Sequence, residues 1–287
     1  SYDVGHSIPW DWRVSAYTWT KSIAAGAYLV AALLVILDIF LIRSRGGGMA
    51  SFTGPISPLW LWVTPVVSGI FLAATGALLI WDLKHPARFY MIFTRPQWRS
   101  WLVRGAFIIA GYTLVLALHF LGALTGNSAV TFLLIILGLP LAALTAIYTA
   151  YLFAQAKARD LWQNPLLPPH LLVQALVAGS AALLPFAAWR EEAAVAPLAW
   201  VLAVSSVLHL LMVWGETTLT HPTAHAHLAV REMTHRRYAA YFWAGLALTF
   251  LGALAPFIDI AAVPLALTGL LLYEHAYVQA GQSVPLA

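Results

Sequence analysis

Asp82-Leu-Lys-His-Pro-Ala-Arg-Phe-Tyr-Met-Ile-Phe-Thr-Arg-Pro-Gln-Trp-Arg-Ser-Trp101 joins two long apolar runs, which places it at a membrane surface. An acid, Asp82, closes the first run. The His85-Pro86 pair stops its helix, because proline lacks the backbone donor and crowds the preceding turn. A basic and aromatic stretch then leads into the next run. Such a loop can shape the mouth of an intramembrane site and offer Arg88, Arg95 and Arg99 to a docking partner.

The rest of the chain agrees with a membrane setting. Only 9% of its 287 residues are charged, 61% are hydrophobic, and the mean hydropathy is +0.81. A helix crossing a hydrocarbon core of about 30 Å needs about 20 apolar residues. Runs of that kind cover about 15–42, 59–82, 101–124, 128–156, 170–189, 197–220, 238–257 and 258–278, the last two parted only by a turn at 256–259. Backbone groups in lipid must be satisfied within the chain, and no barrel-like alternation is present, so the spans are helices. The expected fold is therefore an all-α integral membrane protein with eight transmembrane helices. An interfacial segment, 1–14, carries Trp10 and Trp12 and lacks the basic-then-apolar order of a cleavable signal. Two four-helix bundles, 15–156 and 170–278, flank a loop at 157–169, and 279–287 forms a tail. Trp81-Asp82 with His85-Pro86, and Trp214 and Glu216 with His221-Pro222, close the second run of each half, as a faint internal repeat would.

Call the surface nearest the N-terminus side A. With eight spans, Arg43, Arg45 and Arg190 fall on side B and every other lysine and arginine on side A. The positive-inside rule then puts side A, with its longer loops, in the cytoplasm of a cytoplasmic membrane. No nucleic-acid partner is expected; the basic loops face lipid headgroups or a protein.

Ionisable groups inside spans are costly and usually functional. Near side A lie Tyr17, Lys21, Asp82, Arg104, Tyr148, Gln174 and Glu216. This mixture of donors (Lys21, Tyr148, Arg104) and acids (Asp82, Glu216) suits a quinone, whose carbonyls accept hydrogen bonds and whose reduction needs protons. Asp82 and Glu216 are the candidate proton exchangers. Tyr17, Lys21, Tyr148, Arg104 and Gln174 are the candidate headgroup contacts. His209, His119 and Asp38 could extend the polar set towards side B as a proton path. Glu274 and His275, close to a helix end, read as snorkelling groups. His221, His225, His227 and His235 share one loop, but neighbouring arginines would repel a cation, so a basic interfacial surface is expected and no metal site. Histidines 119, 209 and 275 lie at different depths and do not form a bis-histidine haem pair. The chain has no cysteine. It therefore carries no iron–sulfur cluster of its own, and any electrons come from a partner.

Several motifs, in order, resemble the NrfD/PsrC family of membrane subunits of polysulphide reductase-like complexes. They are Trp19-Thr-Lys-Ser-Ile-Ala-Ala-Gly26, then Asp82-Leu-x-x-Pro-x-Arg-Phe89 with Arg95-Pro96 and Ser100-Trp101. Tyr148, Ala154-Gln-Ala-Lys157, Leu161-Trp162 and Pro165-Leu-Leu-Pro168 follow, and Ala280-Gly-Gln-Ser-Val-Pro-Leu286 closes the series. The resemblance implies two four-helix bundles without haem and a quinone (menaquinone or ubiquinone) exchanged near the face that bears both termini. It also implies a ferredoxin-like iron–sulfur partner and often a molybdopterin catalytic subunit. In polysulphide reductase a helix 1 histidine and a helix 4 tyrosine meet the quinone. Tyr148 matches the tyrosine, whereas Tyr17 stands at the histidine position. That enzyme docks its partner in the periplasm, while the basic residues here put the corresponding face in the cytoplasm. The expected function is a quinone-binding anchor of a respiratory oxidoreductase. The alternatives are a purely structural anchor and, further off, a haem b subunit.

Overall fold

The computed structural model describes residues 10–44, 56–157, 159–219, 221 and 223–284. Most of the expected interfacial segment, the side B loop at 46–55, Arg45, the Arg43 side chain, Pro222 of the second His-Pro pair and the last residues of the tail lie outside that set.

Helices account for most of the described residues, and no strand occurs among them. In chain order they are α1 (Trp12–Ser44), α2 (Thr64–Asp82), α3 (Met91–Thr94), α4 (Trp101–Leu124), α5 (Ser128–Leu133) and α6 (Ile135–Ala154). Then come α7 (Leu167–Arg190), α8 (Val195–Thr218), α9 (Ala224–Thr234), α10 (Ala239–Gly252), α11 (Ala255–Ile258) and α12 (Ala262–Ser283). A π-helical turn at Leu59–Val63 precedes α2. Pro65 cannot donate into the ladder there, and the Leu59 carbonyl accepts both the Thr64 amide and, at 2.7 Å, the Thr64 hydroxyl.

Seven of the described helices are long and apolar enough to cross a membrane. The chain is thus a multi-pass, all-α membrane protein, as the apolar runs require. The seventh run differs from expectation. Its helix, α10, has 14 residues, or about 21 Å at about 1.5 Å per residue, short of a full hydrocarbon core. Close packing on α12 holds it. A Cβ on Gly245 would lie 2.8 Å from the Tyr273 amide nitrogen, and one on Gly269 would lie 2.6 Å from that of Thr249. Without side chains between them the two backbones touch, which in lipid replaces the hydrophobic drive available in water. The chain then reverses at Asp259, whose φ is 47°, near the turn expected between the last two runs.

Helix α1 is central. It packs on α2 and α6 from its own half of the chain and on α7 and α12 from the other. Its crossing with α7 is made by Gly26 and Gly179, where a Cβ on either would overlap the other helix's backbone. Interhelical hydrogen bonds reinforce this helix. Tyr112 donates to the Ala24 carbonyl at 2.9 Å, Trp19 to the Leu267 carbonyl at 2.9 Å, and Thr20 meets Thr75 at 2.8 Å. Large apolar side chains such as Ile70, Leu114, Ile136 and Phe257 point outward. That is the arrangement for a protein whose solvent at mid-depth is lipid.

On side A the family-like motifs meet in space. Trp10 stacks on Trp162, with ring centroids 4.8 Å apart, and Gln282 accepts from the Trp10 amide at 3.1 Å. Arg159 donates to the carbonyls of Gln282 and Val284 at 2.7 and 2.8 Å. Gly281 lets the last helix approach the Trp162 ring so closely that any side chain there would overlap it.

Candidate functional site

Lys21, fully buried on α1, organises the first polar group. An unpaired ammonium in a low-dielectric interior costs several kcal/mol, so it must find partners. Its Nζ donates to the Ala146 carbonyl at 2.7 Å and to the Thr149 hydroxyl at 2.8 Å, both on α6. It also stands 5.4 Å from the centre of the Tyr148 ring. Its countercharge comes from the far end of the chain: Glu274, on α12, acts on it electrostatically. That carboxylate is held by the hydroxyls of Thr18 at 3.1 Å and Ser22 at 3.4 Å. Helices α1, α6 and α12 therefore converge on one buried polar group, in which Lys21 and Glu274 feel each other's charge.

A second group is built on α7, α8 and α12. His170 Nδ1 lies 3.0 Å from a Glu216 carboxylate oxygen, and its Nε2 lies 2.8 Å from His209 Nδ1. Tyr273 donates to the other Glu216 oxygen at 3.2 Å. With Glu216 ionised, the bonding assigns the tautomers in sequence: His170 donates through Nδ1 to the carboxylate, and His209 donates through Nδ1 to His170. His209 Nε2 is then a buried acceptor that completes no bond. The two groups adjoin, because Tyr273 and Glu274 are consecutive on α12. A narrow gap between them is lined by Thr18, Gln174, Tyr273 and Glu274. The Gln174 side-chain oxygen in it has no partner.

Beside the Lys21 group lies an apolar cavity of ≈ 190 Å³ between α2 and α4. Its floor includes Tyr148, and its roof is Phe89, Ile92 and Phe93 from the segment that joins these helices. The turn at Pro86–Arg88 and helix α3 fold this segment back over the cavity. Phe93 and Trp98 pin it by packing on Phe107 of α4, with centroids 5.3 and 4.7 Å apart. The Tyr148 ring lies against Gly105, where a Cβ would overlap it. The hydroxyls of Tyr17 and Tyr148 are buried and complete no hydrogen bond, although both lie close to the Thr149 hydroxyl.

The structure gathers some expected residues and separates others. Tyr17, Lys21 and Tyr148 come together. Glu216 and His209 share one network, and Gln174 lies between the two groups. Asp82 was expected to face the pocket. Among residues near its helix end, Leu79, Ile80 and Leu83 line the cavity and Asp82 does not. Its carboxylate lies 3.6 Å from the Arg13 guanidinium, which also binds the Trp81 carbonyl at 2.8 Å. Arg104 is exposed. It donates to the Trp98 carbonyl at 2.6 Å and sits over the Trp101 ring at 4.9 Å, so it braces the connecting segment instead of entering the pocket. His119 packs against Trp60 and Tyr28, with centroids 4.4 and 5.8 Å away, far along α4 from the side A groups. Asp38 is buried beside Glu191, whose carboxyl burial pushes above the usual carboxylate range, with the Asp38 charge adding to the effect. Arg88, Arg95 and Arg99 are exposed on the connecting segment. Among the described residues, no three histidine, cysteine or acidic side chains converge as metal ligands.

Three functional candidates escaped the sequence. His170 sits at the loop boundary after Pro168-Pro169, where apolar periodicity has not begun. Tyr273 looks like an ordinary core aromatic. Glu274 is near a helix end, where snorkelling is the ordinary reading, but α1 covers it. The signal that could have found Glu274 is the buried Lys21, which requires an acid somewhere.

The fold defines a multi-pass, all-α membrane protein with polar groups buried between its helices. A family model described as "Polysulphide reductase, NrfD" matches residues 3–269, and the chain belongs to that family. Its members are membrane subunits of polysulphide reductase-type complexes that in general interact with quinones and typically assemble with iron–sulfur and molybdoenzyme subunits. No curated protein matches the chain.

Removing His170 should be the most damaging change in the second network, because His170→Ala strands both Glu216 and His209. We expect a loss of about 3 kcal/mol in unfolding free energy. Tyr273→Phe should cost about 1 kcal/mol, since hydrogen bonds between membrane helices are worth less than their burial suggests. Denaturant unfolding in mixed micelles measures both, and equal losses would contradict the assignment of His170 as the hub.

Proposed function

We propose that this chain is the quinone-exchanging membrane subunit of a multi-subunit oxidoreductase, with the quinone headgroup in the cavity beneath Phe89 and Phe93. One observation carries the reading. Tyr148 lines an apolar cavity, and its buried hydroxyl completes no hydrogen bond while a buried cation stands behind its ring. A buried hydroxyl without a partner is costly, and a ligand carbonyl would satisfy it. The apolar walls suit a ring and the start of an isoprenoid tail, which would leave between α2 and α4 towards lipid.

A bound quinone supplies two-electron, two-proton chemistry. The chain's own part is positioning and proton handling. The Tyr148 hydroxyl donates towards a carbonyl. Lys21, on the far side of the ring, raises the local potential and favours negative charge in the cavity. Tyr17, on the same helix as Lys21, contributes a second hydroxyl. The carboxylates of Glu274 and Glu216, joined through Thr18, Gln174 and Tyr273, form a route by which protons reach or leave the pocket. His170 and His209 extend it into the second half of the chain. The Asp82–Arg13 pair holds the start of α1 against the end of α2 at the mouth.

Electrons would come from an iron–sulfur subunit, since this chain has no cysteine to hold a cluster. Exposed Arg88, Arg95 and Arg99, together with exposed Phe89, Tyr90 and Trp98, form its docking face. Aromatic residues and arginine are the types enriched in such interfaces. The distribution of basic residues favours this face on the cytoplasmic side. We treat 15–156 and 170–278 as two four-helix bundles, with the quinone in the first and the histidine network in the second.

A short-chain naphthoquinone titrated into the purified full chain should bind wild type, and Tyr148→Phe should weaken it about tenfold, the equivalent of one hydrogen bond of about 1.4 kcal/mol. Unchanged affinity in Tyr148→Phe would remove the pocket. Absence of binding in wild type would favour the purely structural anchor.

A further inference from the structure

A second cavity is much larger than the one assigned to quinone. It is a crevice of ≈ 920 Å³ on side A, enclosed by α8, α9 and α10. Its construction follows from the chain. Thr223 caps α9 by accepting from the Ala226 amide at 3.2 Å, which starts a helix just outside the last turn of α8. Helix α9 then roofs the space between α8 and the short α10. The Trp243 indole donates to the Thr234 carbonyl at 2.9 Å, tying α10 to the end of that roof.

The crevice has two chemically distinct layers. Below the roof its walls are Leu210, Val213 and Leu246, flanked by the exposed indoles of Trp214 and Trp243. Indoles favour the headgroup level of a bilayer, which sets the depth of the opening. Above them the rim is basic: His221, His227, Arg231 and His235. Among the described residues, no acid lines the crevice. Among the described residues Arg231 forms no ion pair, and its neighbour Glu232 pairs with Arg236 instead, at 3.0 Å. Glu216, the nearest buried acid, is already engaged by His170 and Tyr273. Thr217 and Thr218 turn their hydroxyls back to carbonyls of α8. His221 Nε2 is buried with no partner. Burial also pushes this imidazole below its ordinary pKa; the ring can offer an N–H, while Arg231 provides the permanent charge.

We propose that this crevice binds one anionic phospholipid, its phosphate on the rim of Arg231, His227 and His221 and its acyl chains along Leu210, Val213 and Leu246. Charge complementarity and the layering select this occupant. Basic pockets between transmembrane helices are suited to acidic headgroups. A free anion would use the rim but leave the apolar walls uncovered. A quinone headgroup is uncharged and would leave the rim unmatched. The lipid would fill the space beside the short α10, where the protein alone leaves the helices apart. This assignment stands independently of the quinone reading.

Native mass spectrometry of the full chain in detergent tests it, with phosphatidylglycerol and phosphatidylcholine of identical acyl chains as probes. Wild type should retain one phosphatidylglycerol in clear preference to phosphatidylcholine. Arg231→Gln, at an exposed position, should lower that retention about fivefold, the loss expected for one basic contact. Leu246→Trp, which fills the apolar layer and leaves the rim intact, should lower retention of both lipids. Both variants should elute as wild type does, and the fold is checked by an unchanged unfolding temperature for Arg231→Gln. Equal retention of the two lipids overturns the proposal. So does a preference that survives both substitutions, which would place the lipid elsewhere. Displacement of phosphatidylglycerol by millimolar inorganic phosphate would show a simple anion site and overturn the lipid assignment.

Discussion

One ammonium group buried among helices sets the terms for this structure. Lys21 has no water to solvate it, so the chain must surround it with acceptors and bring a carboxylate near. The acceptors come from α6, in the same half of the sequence. The carboxylate, Glu274, comes from α12, at the opposite end of the chain. Satisfying a single charge therefore forces contact between the first half of the chain and its last helix. The glycine crossing of α1 and α7 brings the same two halves to backbone distance. The bonds from Thr18 and Ser22 to Glu274 add direction to that packing, since they form only when α12 is at the correct height beside α1.

Helix α12 then carries the constraint onward. Consecutive residues on a helix point about 100° apart, so Tyr273 and Glu274 serve two different neighbours. Glu274 turns to α1 and the Lys21 group, while Tyr273 turns to Glu216 between α7 and α8. One helix thereby brings the two polar groups side by side, with Gln174 and Thr18 lining the gap between them. Such networks are costly unless every member is bonded. The members that lack a partner include the Tyr17 and Tyr148 hydroxyls, the Gln174 oxygen and His209 Nε2.

Much of the fold was legible because lipid leaves few choices. The apolar runs mark the helices, and the His85-Pro86 pair marks the stop after Asp82. The exception, α10, is short because glycines at 245, 252 and 269 let it lie directly on α12, and close backbone contact of that kind has no signature in hydropathy. Lys21 and Glu216 stood out as ionisable groups inside spans, and both are buried. Their partners did not. Glu274 and His170 sit near helix ends, where a polar residue is ordinary, and only the packing of α1 and α8 over them reveals the burial. Arg104 and Asp82 show the converse. Both looked suited to a pocket, yet each is drawn to a nearer partner, Arg104 to Trp98 and Trp101, Asp82 to Arg13, because loop geometry decides contacts that helical periodicity does not.

The assignment of quinone to the space under Phe89 and Phe93, and not to the larger crevice beneath α9, is the claim on which the functional reading turns. Photolabelling of the full chain in membranes with an azido-naphthoquinone, followed by peptide mapping, measures it directly. Adducts within 83–110 or at Tyr148 are the predicted result. Adducts confined to Trp214, Trp243 and the α9 crevice would contradict it.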